Sequence, residues 1–169
     1  MNPSLHYGLS AFEGIRFYNT KRGPAVFRLE SHLDRFFYSM NVLGMPLGYT
    51  REQLVHATKE LIIRYNMNEG YIRPIAWFSD KVVGLHNAGG KTSIQIALFD
   101  WKKSSSDVLR VHISPFLRVH PKPTDVNAKI SGQYINTHLA LKQANKDGFD
   151  DAILLDHDGH VAEASAANI

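Results

Sequence analysis

One lysine stands out in the sequence because its neighbours carry no charge. The 16 residues from Val126 to Leu141 contain a single Asp, Glu, Lys or Arg, and that residue is Lys129. A lysine in such surroundings is a candidate for burial, and burial favours the neutral amine over the ammonium ion. A neutral amine attacks carbonyl carbons, so Lys129 is suited to Schiff-base chemistry. The alternative is an ordinary solvated lysine that precedes a helix.

The residues around Lys129 form the motif Ala-Lys-x-Ser-Gly-x-Tyr at 128–134, ahead of a helix rich in Ala and Leu. This motif resembles the lysine segment of class IV (fold-type IV) aminotransferases, which use pyridoxal 5'-phosphate (PLP). Downstream, Gly-Phe-Asp-Asp-Ala-Ile-Leu-Leu-Asp at 148–156 and Val-Ala-Glu at 161–163 continue the match. Three motifs resemble the branched-chain amino acid aminotransferases in particular: His-Tyr-Gly at 6–8, Phe-Glu-Gly-Ile-Arg at 12–16 and Tyr-Ile-Arg-Pro at 71–74.

The resemblance implies that PLP is the cofactor and indicates which residues would bind it. Lys129 would form the Schiff base and then act as general base and acid. Arg35 matches the arginine that binds the phosphate, for which a planar guanidinium is well suited. Glu163 matches the carboxylate that keeps the pyridine nitrogen protonated. Tyr134 matches the tyrosine that hydrogen-bonds the phenolic oxygen of the cofactor.

The resemblance also implies a substrate pocket with apolar walls for a branched side chain. Tyr71 and Arg73 lie two residues apart on an expected strand and so point the same way. In branched-chain members this pair helps accept the side-chain carboxylate of glutamate, and Leu85 matches a loop position that contacts the neighbouring subunit's pocket. Ser104 stands where bacterial enzymes can carry a pocket tyrosine, which leaves the exact substrate range open. The residues assigned to substrate binding are Tyr7, Phe12, Gly14, Arg16, Tyr71, Arg73, Leu85 and Trp101.

The function that the resemblance implies is transamination between leucine, isoleucine or valine and 2-oxoglutarate, in branched-chain amino acid biosynthesis. Two alternatives on the same fold are an aminodeoxychorismate lyase and a D-amino acid transaminase, and the motifs at 12–16 and 71–74 weigh against both. A third is a non-catalytic dimerisation or binding fragment. Family members continue beyond the point that matches Ile169, so we expect an N-terminal part of the enzyme that is inactive by itself. The expected partners are amino acids, 2-oxo acids and further copies of the chain, as a homodimer or higher homo-oligomer.

Composition narrows the class of protein. The absence of cysteine excludes disulfides, thiolate metal sites and cysteine nucleophiles. The net charge of +3 is spread without a long basic run, which argues against nucleic-acid and membrane partners. Nine histidines are scattered without the spacing of a helical ligand pair, so we expect no metal site. No apolar run reaches the ~18 residues of a membrane span and no secretory signal opens the chain, which predicts a soluble, cytoplasmic protein.

The order of predicted helices and strands indicates an α+β fold. We expect a small N-terminal α+β domain at 1–102, a linker at 103–107 and, at 108–169, the incomplete start of a larger α/β-type PLP-binding domain. Residues 5–18 predict two short strands or a strand and a bend, and Pro74 predicts an edge or irregular position. The predicted strands are 25–29, 71–78, 92–99, 108–113 and 152–155. Two of the predicted helices begin after Ser31 and Thr50 as caps, the second with the capping-box pattern Thr-Arg-Glu-Gln at 50–53, and a third spans 132–146.

Overall fold

The computed structural model of the chain describes residues 2–82, 84–85, 90–101 and 108–169. These residues fold into two compact units. One unit is Met1–Lys103 together with Asn127–Ser131, and the other is Ser104–Val126 together with Gly132–Ile169. The segment that carries Lys129 therefore belongs to the first unit. The expected linker at 103–107 lies outside the described residues, and the division at that point stays a prediction.

The first unit is built on an antiparallel sheet with a long central strand. Strand β4 (Gly70–Phe78) pairs from Tyr71 to Phe78 with β5 (Thr92–Phe99). On its other side it pairs first with β2 (Ile15–Thr20) and then with β1 (Ser10–Phe12), while β3 (Gly23–Val26) extends the sheet beyond β2. The strands predicted at 71–78 and 92–99 are confirmed.

Pro74 lies inside the central strand rather than at an edge. It pairs with Ile96 of β5, and its carbonyl accepts the amide of Glu13 at 3.0 Å. Because the nitrogen and carbonyl of a strand residue face the same neighbour, the missing donor of Pro74 faces the connection between β1 and β2. The ladder on that side is interrupted there, so the position is irregular but the predicted edge location is wrong.

Two of the helices of the first unit begin differently from expectation. Helix α1 (Pro3–Tyr7) replaces the extended structure predicted from residue 5, because Asn2 caps it and Gly8 ends it in the left-handed conformation at φ 68°. Helix α2 (Leu29–Val42) starts after Arg28, whose φ of 50° turns the chain sharply out of β3. Ser31 consequently lies in the first turn of α2 and is not its cap.

Helix α3 (Arg51–Arg64) begins with the capping box that the sequence predicts. The hydroxyl of Thr50 accepts the Gln53 amide at 3.3 Å, and the Gln53 side chain accepts the Thr50 amide at 2.8 Å. These two bonds satisfy backbone donors that the first helical turn leaves open.

Helices α2 and α3 share one apolar core with the sheet. Large buried side chains come from both layers, and each contributes roughly 1.5–3 kcal/mol by leaving water. This core fixes α2 against the sheet that carries Phe12, Arg16, Tyr71 and Arg73. Its largest members are Ile15, Phe17, Leu33, Phe36, Met40, Leu54, Ile62, Ile72 and Phe78.

The second unit has a small sheet and one long helix among its described residues. Strand β6 (Val111–Ile113) runs parallel to β7 (Asp151–Leu155), and β8 (Val161–Ala164) returns antiparallel to β7. A 3₁₀ turn (Ser131–Tyr134) precedes helix α4 (Ile135–Lys146), so the helix predicted from residue 132 begins as a tighter turn. In the part of the chain that the structure describes, no helix combines the length and the apolar character needed to cross a bilayer.

Candidate active site

The backbone of Lys129 is hydrogen-bonded on both sides. Its amide donates to the hydroxyl of Ser39 in α2 at 2.8 Å. Its carbonyl accepts the amide of Phe12 in β1 at 3.1 Å, and the next residue, Ile130, forms an antiparallel bridge with Ala11. The segment is thus joined to β1 by a single bridge and one further hydrogen bond, which fix the position from which the lysine side chain extends.

The side chain of Lys129 is half-buried, between two neighbours in sequence that are both buried. Its Nζ lies 5.2 Å from the centre of the Phe12 ring, at the face of the ring. The burial predicted for Lys129 is therefore only partial.

Arg35 is held by a buried carboxylate that the sequence analysis did not single out. Its Nε and Nη2 donate to the two oxygens of Glu13 at 2.5 and 2.9 Å. His32, one helical turn earlier in α2, places Nδ1 at 2.9 Å from the same carboxylate. Glu13 is wholly buried, whereas 46% of the Arg35 side chain is exposed. The guanidinium is therefore oriented from inside the unit and reaches its surface.

The ionisation of Glu13 follows from these partners. Burial raises the pKa of a carboxyl group, but hydrogen bonds and charge from His32 and Arg35 outweigh it and leave the pKa of Glu13 below its ordinary value of 4.5. Glu13 is thus a carboxylate near neutral pH and keeps the partners that face it.

Phe12, Tyr71, Trp101 and two arginines are joined by direct contacts. The Arg73 guanidinium lies 4.7 Å from the centre of the Phe12 ring and 5.2 Å from that of Tyr71, and it donates a hydrogen bond to the Tyr71 hydroxyl. Tyr71 stacks on Trp101 with ring centres 4.9 Å apart, and Arg16 lies 5.2 Å from the same indole. We call Phe12, Arg16, Tyr71, Arg73 and Trp101 the arginine–aromatic cluster. It adjoins Lys129 through Phe12.

The two arginines of this cluster are electrostatically uncompensated. Among the described residues, no carboxylate forms an ion pair with Arg16 or Arg73, and the buried Nε of each finds no hydrogen-bond partner. A buried donor without a partner costs free energy, and the two half-buried guanidinium groups also carry positive charge. A pair of such cations beside aromatic rings is an arrangement that an anionic ligand would stabilise.

The absence of a side chain at Gly14 leaves room for the Tyr71 hydroxyl. It lies in the connection between β1 and β2, and a Cβ on this residue would collide with the Tyr71 hydroxyl. The glycine predicted for the pocket therefore has a steric role, because it leaves room for a phenol against the backbone.

In the second unit, Glu163 forms an ion pair that the sequence analysis did not anticipate. The Nε of Arg118 lies 2.5 Å from its carboxylate, and the Arg118 amide is bonded to the Leu155 carbonyl at 2.8 Å. Both side chains are more than two-thirds buried. Tyr134 is half-buried at the end of the 3₁₀ turn.

Two predicted substrate residues lie apart from the contacts described above. Tyr7 ends helix α1 and is 42% exposed, with its ring near His6. Leu85 is 59% exposed. The assigned roles of both residues stay predictions, and so does the role of Ser104, which lies outside the described residues.

The turn between β7 and β8 brings two carboxylates and an imidazole together. Possible ligand atoms of Asp156, Asp158 and His160 lie within 4.8 Å of one another. The hydrogen bond from the His160 amide, followed by that from Asp158, lowers the pKa of Asp156 below its ordinary value of 3.8. These turn hydrogen bonds account for the arrangement.

The family model of the amino-transferase class IV proteins matches residues 10–169. The chain belongs to the class IV aminotransferases. Its curated relatives include the branched-chain-amino-acid aminotransferases of Pseudomonas aeruginosa, at 37% identity over 174 residues, and of Escherichia coli K12, at 31% over 175 residues. Each match covers 100% of this chain and 57% of the relative, so the chain spans little more than half the length of these relatives.

Solved structures of branched-chain aminotransferases are also similar to this chain. The branched-chain aminotransferase of the archaeon Thermoproteus uzoniensis, solved with norvaline, has a TM-score of 0.90 and 35% identity, over 97% of this chain and 56% of that one. The Escherichia coli enzyme has a TM-score of 0.91 and 31% identity, over 98% of this chain and 56% of that one. A third branched-chain enzyme, solved with pyridoxamine 5'-phosphate, has a TM-score of 0.89 and 38% identity, over 97% of this chain and 55% of that one. These comparisons confirm the predicted family and the α+β fold of class IV aminotransferases.

For this class IV chain, the interactions of three residues were missed in the sequence analysis: Glu13, Ser39 and Arg118. Glu13 belongs to the motif at 12–16, but no role was predicted for it. Because side chains alternate along extended backbone, its side chain lies on the face opposite to that of Phe12. The sequence gives no local signal for the contact of Ser39 with Lys129, 90 positions further on, or for that of Arg118 with Glu163, 45 positions further on. Their importance depends on tertiary contacts alone.

Proposed function

We propose that the protein containing this chain is a PLP-dependent aminotransferase that exchanges amino groups between branched-chain L-amino acids and 2-oxoglutarate. One observation carries the proposal most directly. Lys129 is fixed through both its amide and its carbonyl in a unit that also holds an oriented arginine and two guanidinium groups for which the described residues supply no carboxylate partner. Family membership supports it, as do relatives that are named branched-chain-amino-acid aminotransferases.

The donor groups of the chain fit the chemistry of PLP. Lys129 offers an amine for the aldehyde carbon, Arg35 a cation for the phosphate, Glu163 a carboxylate for the ring nitrogen and Tyr134 a phenol for the ring oxygen. When bound, PLP supplies an electron sink that stabilises negative charge at the Cα of an amino acid. Branched-chain relatives were solved with pyridoxamine 5'-phosphate and with N-(5'-phosphopyridoxyl)-L-glutamate, which supports this choice of cofactor.

Three of these residues would then have distinct roles. Lys129 would accept the proton from the substrate Cα and return a proton in the second half of the transfer. Arg35 would bind phosphate, with its plane set by the two bonds to Glu13. Glu163 would hold a proton at the pyridine nitrogen, with its own orientation set by Arg118.

The arginine–aromatic cluster suits a site that must accept two unlike side chains. Its rings offer apolar walls to leucine, isoleucine or valine, while Arg73 and Arg16 offer positive charge to the second carboxylate of glutamate. Relatives solved with 4-methylvaleric acid and with norvaline support an apolar site of this kind. The names of the matched relatives favour this substrate class over the lyase and the D-amino acid transaminase.

The lysine assignment can be tested chemically. The intact protein is incubated with PLP, reduced with borohydride and digested, and the pyridoxyl peptide is identified by mass. We expect the label on Lys129, its loss in Lys129→Ala and its retention in Lys142→Ala, which removes an exposed lysine of α4. Transamination of leucine with 2-oxoglutarate should be lost in Lys129→Ala and retained in Lys142→Ala. A pyridoxyl group on another lysine in the unsubstituted protein would refute the assignment.

Two further expectations stay predictions. Residues 1–169 alone are expected to show no turnover of leucine with 2-oxoglutarate, and robust turnover by material of that mass would contradict this. A homodimer or higher homo-oligomer is expected for the intact protein, and sedimentation of the purified protein measures it.

A further inference from the structure

Ser39 connects the two parts of the first unit that the proposed function assigns to the cofactor. It is completely buried in α2, and its hydroxyl makes two hydrogen bonds. The hydroxyl donates to the carbonyl of Arg35 at 2.8 Å and accepts the amide of Lys129 at 2.8 Å. One hydroxyl therefore joins the backbone of the proposed phosphate-binding arginine to the backbone of the proposed Schiff-base lysine.

The first of these bonds is common in helices, and the second is the informative one. A serine or threonine inside a helix often donates to the carbonyl four residues earlier. Thr58 in α3 does so toward Leu54 at 2.7 Å, and it is as deeply buried as Ser39. Ser39 uses its single hydrogen in the same way, but a lone pair of its oxygen also accepts an amide that lies 90 residues further along the chain.

We propose that Ser39 is a positioning residue that sets the place of Lys129 relative to Arg35. The inference rests on the proposed function, in which these residues bind two neighbouring substituents of the PLP ring. The aldehyde and the short phosphate-bearing arm are attached to adjacent ring carbons, so the two groups can meet their partners only over a narrow range of spacings. A displacement of about 1 Å at such a site costs on the order of a hundredfold in rate. On the other side of the lysine, the Phe12 amide ties the segment to β1, and Ser39 ties it to α2.

The test compares two substitutions that remove a buried hydroxyl and little else. Ser39→Ala deletes the bond to Lys129 together with the bond inside the helix. Thr58→Val, the matched control, deletes only a bond inside a helix and is equally buried. Both are made in the intact protein, and their free energies of unfolding are measured first so that any general loss of stability is known.

Four quantities are then compared between the variants: amide exchange at Lys129, the Kd for PLP, and kcat and KM for leucine. In Ser39→Ala we expect the Lys129 amide to exchange hydrogen about tenfold faster in the cofactor-free protein, and the Kd for PLP to rise about tenfold, the usual effect of one lost hydrogen bond. We expect kcat for leucine to fall by a similar factor. The KM for leucine and all values in Thr58→Val should stay within about twofold, the variation typical of unconnected sites.

Equal changes in the two variants, or an unchanged Kd for PLP and kcat in Ser39→Ala, would overturn the proposal. If Ser39→Ala does not fold, Ser39→Cys takes its place. A thiol fills the site but hydrogen-bonds weakly, so the same order of effects is expected and equality with Thr58→Val again refutes the proposal. A failure of the proposed function is separate, because it appears as a borohydride label away from Lys129 in the unsubstituted protein.

Discussion

Both carboxylate oxygens of Glu13 accept hydrogen bonds from Arg35, one from Nε at 2.5 Å and one from Nη2 at 2.9 Å. This two-point contact fixes the plane of the guanidinium as well as its distance. Glu13 is completely buried, whereas the Arg35 side chain is 46% exposed. The buried carboxylate therefore orients the guanidinium of Arg35. The residue next to Glu13 is Phe12, the last residue of β1, which contacts Lys129 and Arg73. Two consecutive residues at the end of β1 therefore support both Lys129 and Arg35.

Glu13→Gln should lower the stability of the intact protein. The amide keeps the shape of the side chain but loses the negative charge that receives the guanidinium. A hydrogen bond to a charged group contributes about 1.5–3 kcal/mol, so we expect a loss of this size in the free energy of unfolding in urea. The control is Glu30→Gln, an exposed carboxylate that lies 3.8 Å from Arg51 and should change stability by no more than about 0.5 kcal/mol. Equal effects of the two substitutions would contradict the structural account of Glu13.

The stabilisation that Glu13 provides should depend on pH. The pKa of Glu13 is lower in the folded protein than its ordinary value of 4.5, because His32 and Arg35 outweigh the effect of burial. Its stabilising contribution is therefore fully present above pH 4.5 and is lost as the pH falls through the lower folded pKa. The difference in unfolding free energy between the unsubstituted protein and Glu13→Gln should shrink over that acid range. A difference that stays constant there would show that Glu13 does not titrate as inferred.

The sequence predicted the parts of the fold that depend on local signals. The capping box at Thr50 and the strands at 71–78 and 92–99 rest on short patterns and are confirmed. The start of α2 was missed because Arg28 adopts a φ of 50°, a conformation that arginine rarely takes and that no residue pattern announces. Helix α1 was missed because it has one turn and too few residues to show a period.

The site was predictable to a similar extent. Tyr71 and Arg73 share a face because side chains in a strand alternate, and the structure joins them by a hydrogen bond. The hydrogen bond between Lys129 and Ser39 and the ion pair between Arg118 and Glu163 could not be predicted, because their partners are brought together only by the tertiary fold. Resemblance to a family identifies residues that contact ligands more readily than residues that hold them in place.

Gly14→Ala should disturb Tyr71 from the backbone side. A methyl group on Gly14 would overlap the Tyr71 hydroxyl, which must then move away from its place beside Arg73. We expect the KM for glutamate to rise about tenfold, as for one lost hydrogen bond, while the Kd for PLP changes little. Gly48→Ala is the control, because a Cβ at Gly48 enters open space. An unchanged KM for glutamate in a folded Gly14→Ala protein would contradict the steric role.

Arg118→Ala should weaken the proposed function of Glu163. The substitution removes the guanidinium that lies 2.5 Å from the carboxylate and leaves a largely buried charge without that partner. We expect kcat/KM for leucine to fall at least about tenfold, with the borohydride label still on Lys129. Arg110→Ala is the control in the same unit, since Arg110 is exposed and pairs with Asp150 at 3.6 Å. Equal activity of the two variants would show that Glu163 does not depend on Arg118.

Arg73→Ala should separate the two classes of substrate. The second carboxylate of glutamate would bind a guanidinium that has no carboxylate partner among the described residues, whereas the side chain of leucine gains nothing from the charge. Loss of one charge-assisted contact costs about 1.5–3 kcal/mol, roughly tenfold to over a hundredfold in kcat/KM. We therefore expect kcat/KM for glutamate to fall by that factor and kcat/KM for leucine to change far less. Arg51→Ala, which removes an arginine of α3 paired with Asp34 at 3.2 Å, should leave the ratio of the two values unchanged. Equal losses for glutamate and leucine in Arg73→Ala would assign Arg73 a structural role in the arginine–aromatic cluster instead of a role in selecting the dicarboxylate.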